Sequence, residues 1–395
     1  MVGVKRRRLL LTAAVVSALA FAVGWMLGRG GSDGRTREAE SAVTTTASGA
    51  APAPPQLVGS TLPSVDSQLL APTTARVPGW SFASAGVDER AAALGIRVVG
   101  VRPGRVLEVD TSTGDLAVLQ VGERYPEPPH VDAGDDWILV RRTETSYAQL
   151  FRGRDEPVPI RLGYATNTFP EPGSDRFWRV LTAAELDAPT RVIEIDHAGV
   201  ESGVGFEFAG PGQVAGADPA GGVIVVAPGG TYHAGSDGSR RLTAGDIVAI
   251  SASEALITEC SDDLTTCGLV VLDRASGATT PLEPVLPVGK PDIQIYTSGA
   301  AYGFPSLLSA ISPNGRYAPV VINGTRLRFG VIDLVTGDFA PLGVTPQSGL
   351  WWAPDSRYVM YLFNARLMMY DFETRIAFEV TPGVTMSAFA VRSAV

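Results

Sequence analysis

Histidine and cysteine, the side chains most used for nucleophilic and metal chemistry, are scarce here, three and two among 395. The histidines, His130, His197 and His233, stand far apart in sequence, and none carries a local signature of a catalytic triad. Loop or surface positions are expected for them. Two cysteines with no nearby histidine do not make a zinc site. The acidic pairs Asp135-Asp136 and Asp262-Asp263 lack the alternating oxygen ligands of a calcium loop. No metal and no cofactor is therefore expected. Basic residues are also few, 32 Lys and Arg against 41 Asp and Glu. Residues 1–40 hold seven of the former and three of the latter, so the formal −9 of the whole leaves about −13 for the rest (−9 less +4). Such a surface repels phosphate backbones and anionic headgroups, which argues against nucleic-acid partners. Sustained helical periodicity is missing too. Apart from Glu89 to Leu94, no window beyond the stalk described below repeats its apolar residues at 3.6.

The long apolar run that is present lies at the N-terminus. Lys5, Arg6, Arg7 and Arg8 precede Leu9 to Leu27, nineteen uncharged residues, about the length that spans a hydrocarbon core. The positive-inside rule puts residues 1–8 in the cytoplasm, residues 9–28 in the lipid bilayer as a signal-anchor helix, and the remainder outside. A cleaved signal peptide with a site at Ala20-Phe21-Ala22 is the competing interpretation. No Cys closes the segment, which excludes a lipoprotein anchor. Residues 29–76 are Gly, Ser, Thr, Ala and Pro with few large apolar side chains, and so predict a disordered stalk. Within it, Gly30-Gly31-Ser32-Asp33-Gly34 matches a nucleophile elbow by letters only, without the strand and helix that the elbow needs.

From 77 to 395 the chain is a succession of short runs rich in Val, Ile, Leu and aromatics, punctuated by Gly, Pro, Asp and Asn, which predicts an all-β domain. Two stretches share one grammar, Ile311–Gly343 and Trp351–Thr381. Each has a small apolar strand, a Pro-Asn/Asp turn, an Arg-Tyr pair opening a second strand, and a third strand ending in Asp (Asp333, Asp371). A tight turn and a short fourth strand follow. Four short strands per unit make one blade of a β-propeller. The third-strand Asp recurs at Asp110, Asp155, Asp196, Asp237, Asp273, Asp333 and Asp371, mostly near forty residues apart, which predicts seven blades, with six or eight as alternatives. A carboxylate there can accept N–H bonds in the following turn, so turn capping suffices to explain it. Met386 to Val391 resembles the first strands of other units, such as Leu307 to Ile311. Paired with the first unit it would remove both free edges of the ring.

These units resemble the TolB-type, WD40-like propeller repeat (SPDG, an aromatic or apolar strand, then D-x-x-TG). The resemblance implies a scaffold or binding module that uses the channel mouth or loop faces. In this family the propeller also caps serine peptidases; no hydrolase domain is expected after the last unit here. The expected function is an extracytoplasmic binding module for a protein, peptide or envelope glycan. A propeller enzyme of the lyase or glycosidase type, with carboxylates, His or Tyr converging at the channel mouth, is the alternative.

Three further features carry expectations. Cys260 and Cys267 bracket a hairpin in a compartment that permits oxidation, and predict a disulfide. Asn323-Gly324-Thr325 is a formal glycosylation sequon better explained as a hairpin turn. The insertion Pro284 to Pro305 carries Lys290, Tyr296, Tyr302 and Phe304 in an otherwise acidic domain, which makes these four the candidate ligand-binding residues. The aromatics of the last unit, Trp351, Trp352, Tyr358, Tyr361 and Tyr370, are expected to fill the wedges between blades.

Overall fold

The computed structural model describes residues 56–57, 80–121, 129–141, 146–153, 155–163, 167–171, 174–181, 189–209, 212–227, 229–260, 267–285, 294–296, 309–323, 327–343 and 350–393. The expected anchor and nearly all of the stalk lie outside these residues. Among the described residues no helix is long and apolar enough to cross a membrane.

Seven antiparallel sheets of four or five strands are described, and they follow the sequence units. Blade 1 has Ile96–Arg102, Arg105–Asp110 and Asp115–Gln120 at its centre. Blade 2 runs from His130–Ala133 to Val158–Arg161, blade 3 from Thr168–Pro170 to Glu201–Ala209, and blade 4 from Gln213–Ala217 to Gly238–Thr243. Blade 5 spans Asp246–Ile250 to Thr279–Leu282, blade 6 ends in Phe339–Gly343, and blade 7 runs from Trp351–Trp352 to Ile376–Glu379.

Period-two alternation sends successive side chains of each strand to opposite blade faces. In Tyr358–Phe363, Tyr358, Met360 and Leu362 pack toward blade 1, while Val359 and Tyr361 pack toward blade 6. The buried apolar residues accordingly fall into seven clusters, one at each junction between neighbouring blades. Trp352, Tyr358, Tyr361 and Tyr370 are buried in these wedges, as the aromatic-rich last unit predicts, while Trp351 is half-buried against the blade 7–blade 1 cluster. Each fully buried Val, Leu or Ile stabilises the ring by roughly 1.5–3 kcal/mol.

Blade 1 is stitched at both edges. Ala388–Ser393 pairs inside Ile96–Arg102, with Val98 opposite Val391, so the tail strand closes the ring as expected. On the outer side Trp80–Ser84 pairs with Asp115–Gln120. The connection from Trp80–Ser84 to Ile96–Arg102 holds the one helix described, Glu89–Leu94. Asp88 caps it by accepting from Arg90 N, and Gly95 ends it at φ 57, a conformation cheap only for glycine. The helix sits over blade 7: Asp88 N donates to Val380 O, and the Arg90 guanidinium lies 3.5 Å from the Phe378 ring centroid.

Two details differ from expectation. The inner position of blade 6 is not one strand at 307–311. Gln294–Tyr296, from within the insertion, pairs with the Val321–Asn323 end of the second strand. Ser312 donates to Tyr317 O at the other end, and Ser309–Ala310 lies parallel to Asp246–Ile250 of blade 5. In the stretch expected as stalk, Gln56–Leu57 pairs with Phe208 and Ala209 as a fifth strand on blade 3.

Candidate functional site

The recurring aspartates mark the turn between third and fourth strands, and most are consumed there. Asp110 accepts from Ser112 N, Asp196 from Ala198 N and Val200 N, Asp273 from Ala275 N and Ser276 N, Asp333 from Val335 N, and Asp371 from Glu373 N, all at 2.8–3.0 Å. Blades 6 and 7 add an arginine that opens the second strand. Arg316 reaches Asp333 at 2.7 Å, and Arg357 reaches Asp371 at 3.0 Å. The Arg-Tyr and Asp halves of the repeat are thus one device, a strut across the two turns of a blade.

Blade 4 departs from this device. The position of Arg316 and Arg357, one residue before the second strand, is Gly222, whose φ is 79 and where a Cβ would lie 2.5 Å from Ala234 O. No arginine braces the marker aspartate Asp237, which is 83% exposed. At the repeat position held by Ser312 and Ala353 in blades 6 and 7, each followed by Pro, blade 4 has Asp218, followed by Pro219. Its side chain is fully buried and accepts from Ala220 N.

Two neighbours make that burial tolerable. His233, on the third strand and Cα partner of Ile224, places Nδ1 2.8 Å from Asp218 Oδ2. Arg274 of blade 5 donates to the same oxygen at 2.6 Å and to Ser251 O at 2.6 Å. Arg274 directly follows the marker aspartate Asp273, whose capped turn aims it back at blade 4. In blades 3 and 7 the equivalent residue is a ring that stacks on the preceding blade, His197 on Trp137 and Phe372 on Tyr317. Only at the blade 4–blade 5 junction, of these three, is that contact an ion pair.

Burial works to raise the Asp218 pKa, but the hydrogen bonds from His233 and Arg274 outweigh it and hold the carboxyl below the usual range. The hydrogen bond to Asp218 raises the His233 pKa against the opposing effect of burial. Asp218 fixes the ring as the Nδ1–H tautomer, an assignment from the network. Nε2 then faces Asp237 Oδ1 across 3.5 Å. In front lies a recess of about 340 Å³ lined by Ala220, His233, Asp237, Gly238, Ser239, Arg240 and Arg274. Buried, mutually paired titratable groups beside a recess are marks of a candidate functional site.

His130 and His233 are therefore strand residues rather than the loop or surface residues expected from sequence, while His197 does lie in the turn after its strand. His233 is built into this network, and His197 is half-buried on Trp137. His130 opens the inner strand of blade 2, where burial first, then repulsion from Arg141, pushes its pKa down to about 4. Of the candidate residues named from sequence, Lys290, Tyr302 and Phe304 lie outside the described residues. Tyr296 lies opposite Val321, its side chain outside the description. Cys260 and Cys267 are Cα partners across their hairpin, and their side chains are likewise not described. Asp218, Arg240 and Arg274 were not legible as a site, because the unit that holds Asp218 matches the repeat poorly. The signal was there at two positions: an acidic residue in the first-turn slot, and an arginine directly after a marker aspartate.

No family model matches the chain, and no curated protein matches its sequence. Among solved structures it is similar to apo AztD from Citrobacter koseri, with 11% identity, TM-score 0.36, and 74% of this chain and 88% of that one covered. The periplasmic gluconolactonase PpgL of Pseudomonas aeruginosa is 13% identical, TM-score 0.43, covering 75% and 98%. An acylaminoacyl peptidase of Pyrococcus horikoshii is 11% identical, TM-score 0.42, covering 70% of this chain and 48% of that one. At such low similarity it is the seven sheets and their seven cores that establish the fold. The chain is a seven-bladed β-propeller.

Proposed function

We propose that this chain is a single-pass, membrane-anchored propeller of the TolB-like type, facing outward, that binds a protein, peptide or envelope glycan. One observation carries this reading. The repeat spends its polar residues on turns and, in blades 6 and 7, on struts, whereas blade 4 leaves an open recess lined by two arginines and a histidine in an acidic protein. Recognition on a propeller belongs to such positions at the ends and rims of blades. The basic cluster before Leu9–Leu27 supports the anchor, and the register of Cys260 with Cys267 supports a disulfide suited to an oxidising compartment. The insertion bearing Lys290, Tyr296, Tyr302 and Phe304 is the second surface available to a partner.

The test is affinity capture with the full chain, solubilised in mild detergent, from envelope extract. The expected result is saturable retention of a partner that excess untagged chain competes away. Turnover of polysaccharide or glycoside substrates with no retained partner would replace this reading with the enzymatic one.

A further inference from the structure

We propose that the recess at the junction of blades 4 and 5 is a carboxylate-binding site, in which Arg240, Arg274 and His233 Nε2 receive an acidic side chain of a peptide partner. This goes beyond the binding-module reading and rests on it.

Four observations converge. First, the groups that face the recess are His233, Arg240 and Arg274, with Asp237 as the exposed acid, while Asp218 behind them is already shared between His233 and Arg274. Second, Arg274 is almost fully buried, yet its Nε–H has no hydrogen-bond partner, and the residue lines the recess. Its guanidinium donates to Asp218 and to Ser251 O, so the cation is held firmly at the recess wall. Third, Asp218 holds Nδ1, so Nε2 is the ring atom left for a ligand. A neutral ring would set an acceptor against the Asp237 carboxylate, whereas an imidazolium donates there. A carboxylate that enters takes over the place Asp237 serves weakly from 3.5 Å. Fourth, among the described residues no Phe, Tyr or Trp lines the recess on which a sugar could stack. The rim strand Gly238–Thr243 is instead the terminal strand of its sheet, the kind of position at which extended peptides add.

The charge pattern fixes the pH sense. Asp218 is held below the usual carboxylate range and His233 above the usual imidazole range, so His233 is the group that switches. Binding is tighter on the acid side of the His233 titration, and by linkage a bound carboxylate raises that titration further.

Three histidines make the test direct. The full chain is labelled at the histidine ring carbons, and the His233 signal is assigned by its loss in His233→Gln. The probes are N-acetyl-glutamate α-amide, its glutamine counterpart and glucuronate. The expected result is a saturable shift of the His233 signal with the glutamate probe and none with the glutamine probe. Its titration midpoint should rise by about one unit, equivalent to a tenfold preference for the protonated ring. Asp237→Asn, which removes the competing carboxylate, should tighten binding several-fold, and Arg240→Gln should weaken it; both are surface changes that spare the buried pair. No shift at His233 with any carboxylate, while the chain still retains its partner, overturns the site and leaves the binding reading intact. A shift with glucuronate alone overturns the peptide assignment. The expected shifts with no partner retained would instead overturn the binding-module reading.

Discussion

His130 offers a quantitative check on the interior of the ring. It opens the inner strand of blade 2, directly opposite Arg141, whose guanidinium is bound to Asp132 at 2.6 Å and to Thr168 O at 2.7 Å. Burial and that cation keep the imidazole neutral and lower its pKa from 6.5 to about 4. Between those values the unfolded chain binds a proton that the folded chain refuses. Stability therefore falls as pH drops from about 6.5 toward 4 and is fully restored above 6.5. At about 1.4 kcal/mol per unit, the whole effect comes to about 3.5 kcal/mol, of which about 2 kcal/mol is already lost at pH 5. His130→Gln keeps a neutral polar side chain and removes the titration. Urea unfolding followed by the fluorescence of the six tryptophans, at pH 8 and pH 5, gives the double difference in which every other group cancels. The wild type should lose about 2 kcal/mol more than the variant between the two pH values. Equal losses would show that the imidazole is protonated or hydrated in the folded ring, and the account of the blade 2 interior would fail.

Two further outcomes follow from particular contacts. Arg392 pairs with Glu108 at 2.6 Å and donates to Asp135 O, so Arg392→Met takes the arginine away from a buried carboxylate at the ring closure and should destabilise by about 3 kcal/mol; Arg392→Met combined with Glu108→Gln should recover part of this in the same urea assay, and no recovery would contradict the pairing. Ser356 sits at φ 61 where blade 6 has Gly315 at φ 73, yet its hydroxyl accepts from Asn314 N across the blade junction at 3.0 Å. Ser356→Ala should therefore cost about 1 kcal/mol, and Ser356→Gly, which exchanges the bond for relief of strain, should be close to neutral by thermal melting.

What was legible in the sequence was whatever repeats locally. Blade 1 strands run Ile96–Arg102, Arg105–Asp110 and Asp115–Gln120, with the marker Asp110 closing the second of these, because period two and glycine turns act within a few residues. The aspartate markers counted the blades for the same reason. The recess was illegible because it depends on registration between units. Asp218 matters only once Arg274, 56 residues later, is laid against it by the packing of two sheets. The blade 6 inner strand was misplaced on similar grounds: Gln294–Tyr296 has no pattern of its own and is strand only because Val321–Asn323 offers it an open edge.

The closure of blade 1 has a consequence for how the ring comes into being. Ile96–Arg102 is among the first strands of the domain to be made, yet its inner partner follows far later; Glu108 and Arg392, which pair across that blade, stand 284 residues apart. Blades 2 to 7 are built from neighbouring segments and can condense as they appear, whereas blade 1 has an unpaired inner edge for the whole of that interval. During it the chain is an open arc with one adhesive edge waiting, the state most prone to pairing with another copy.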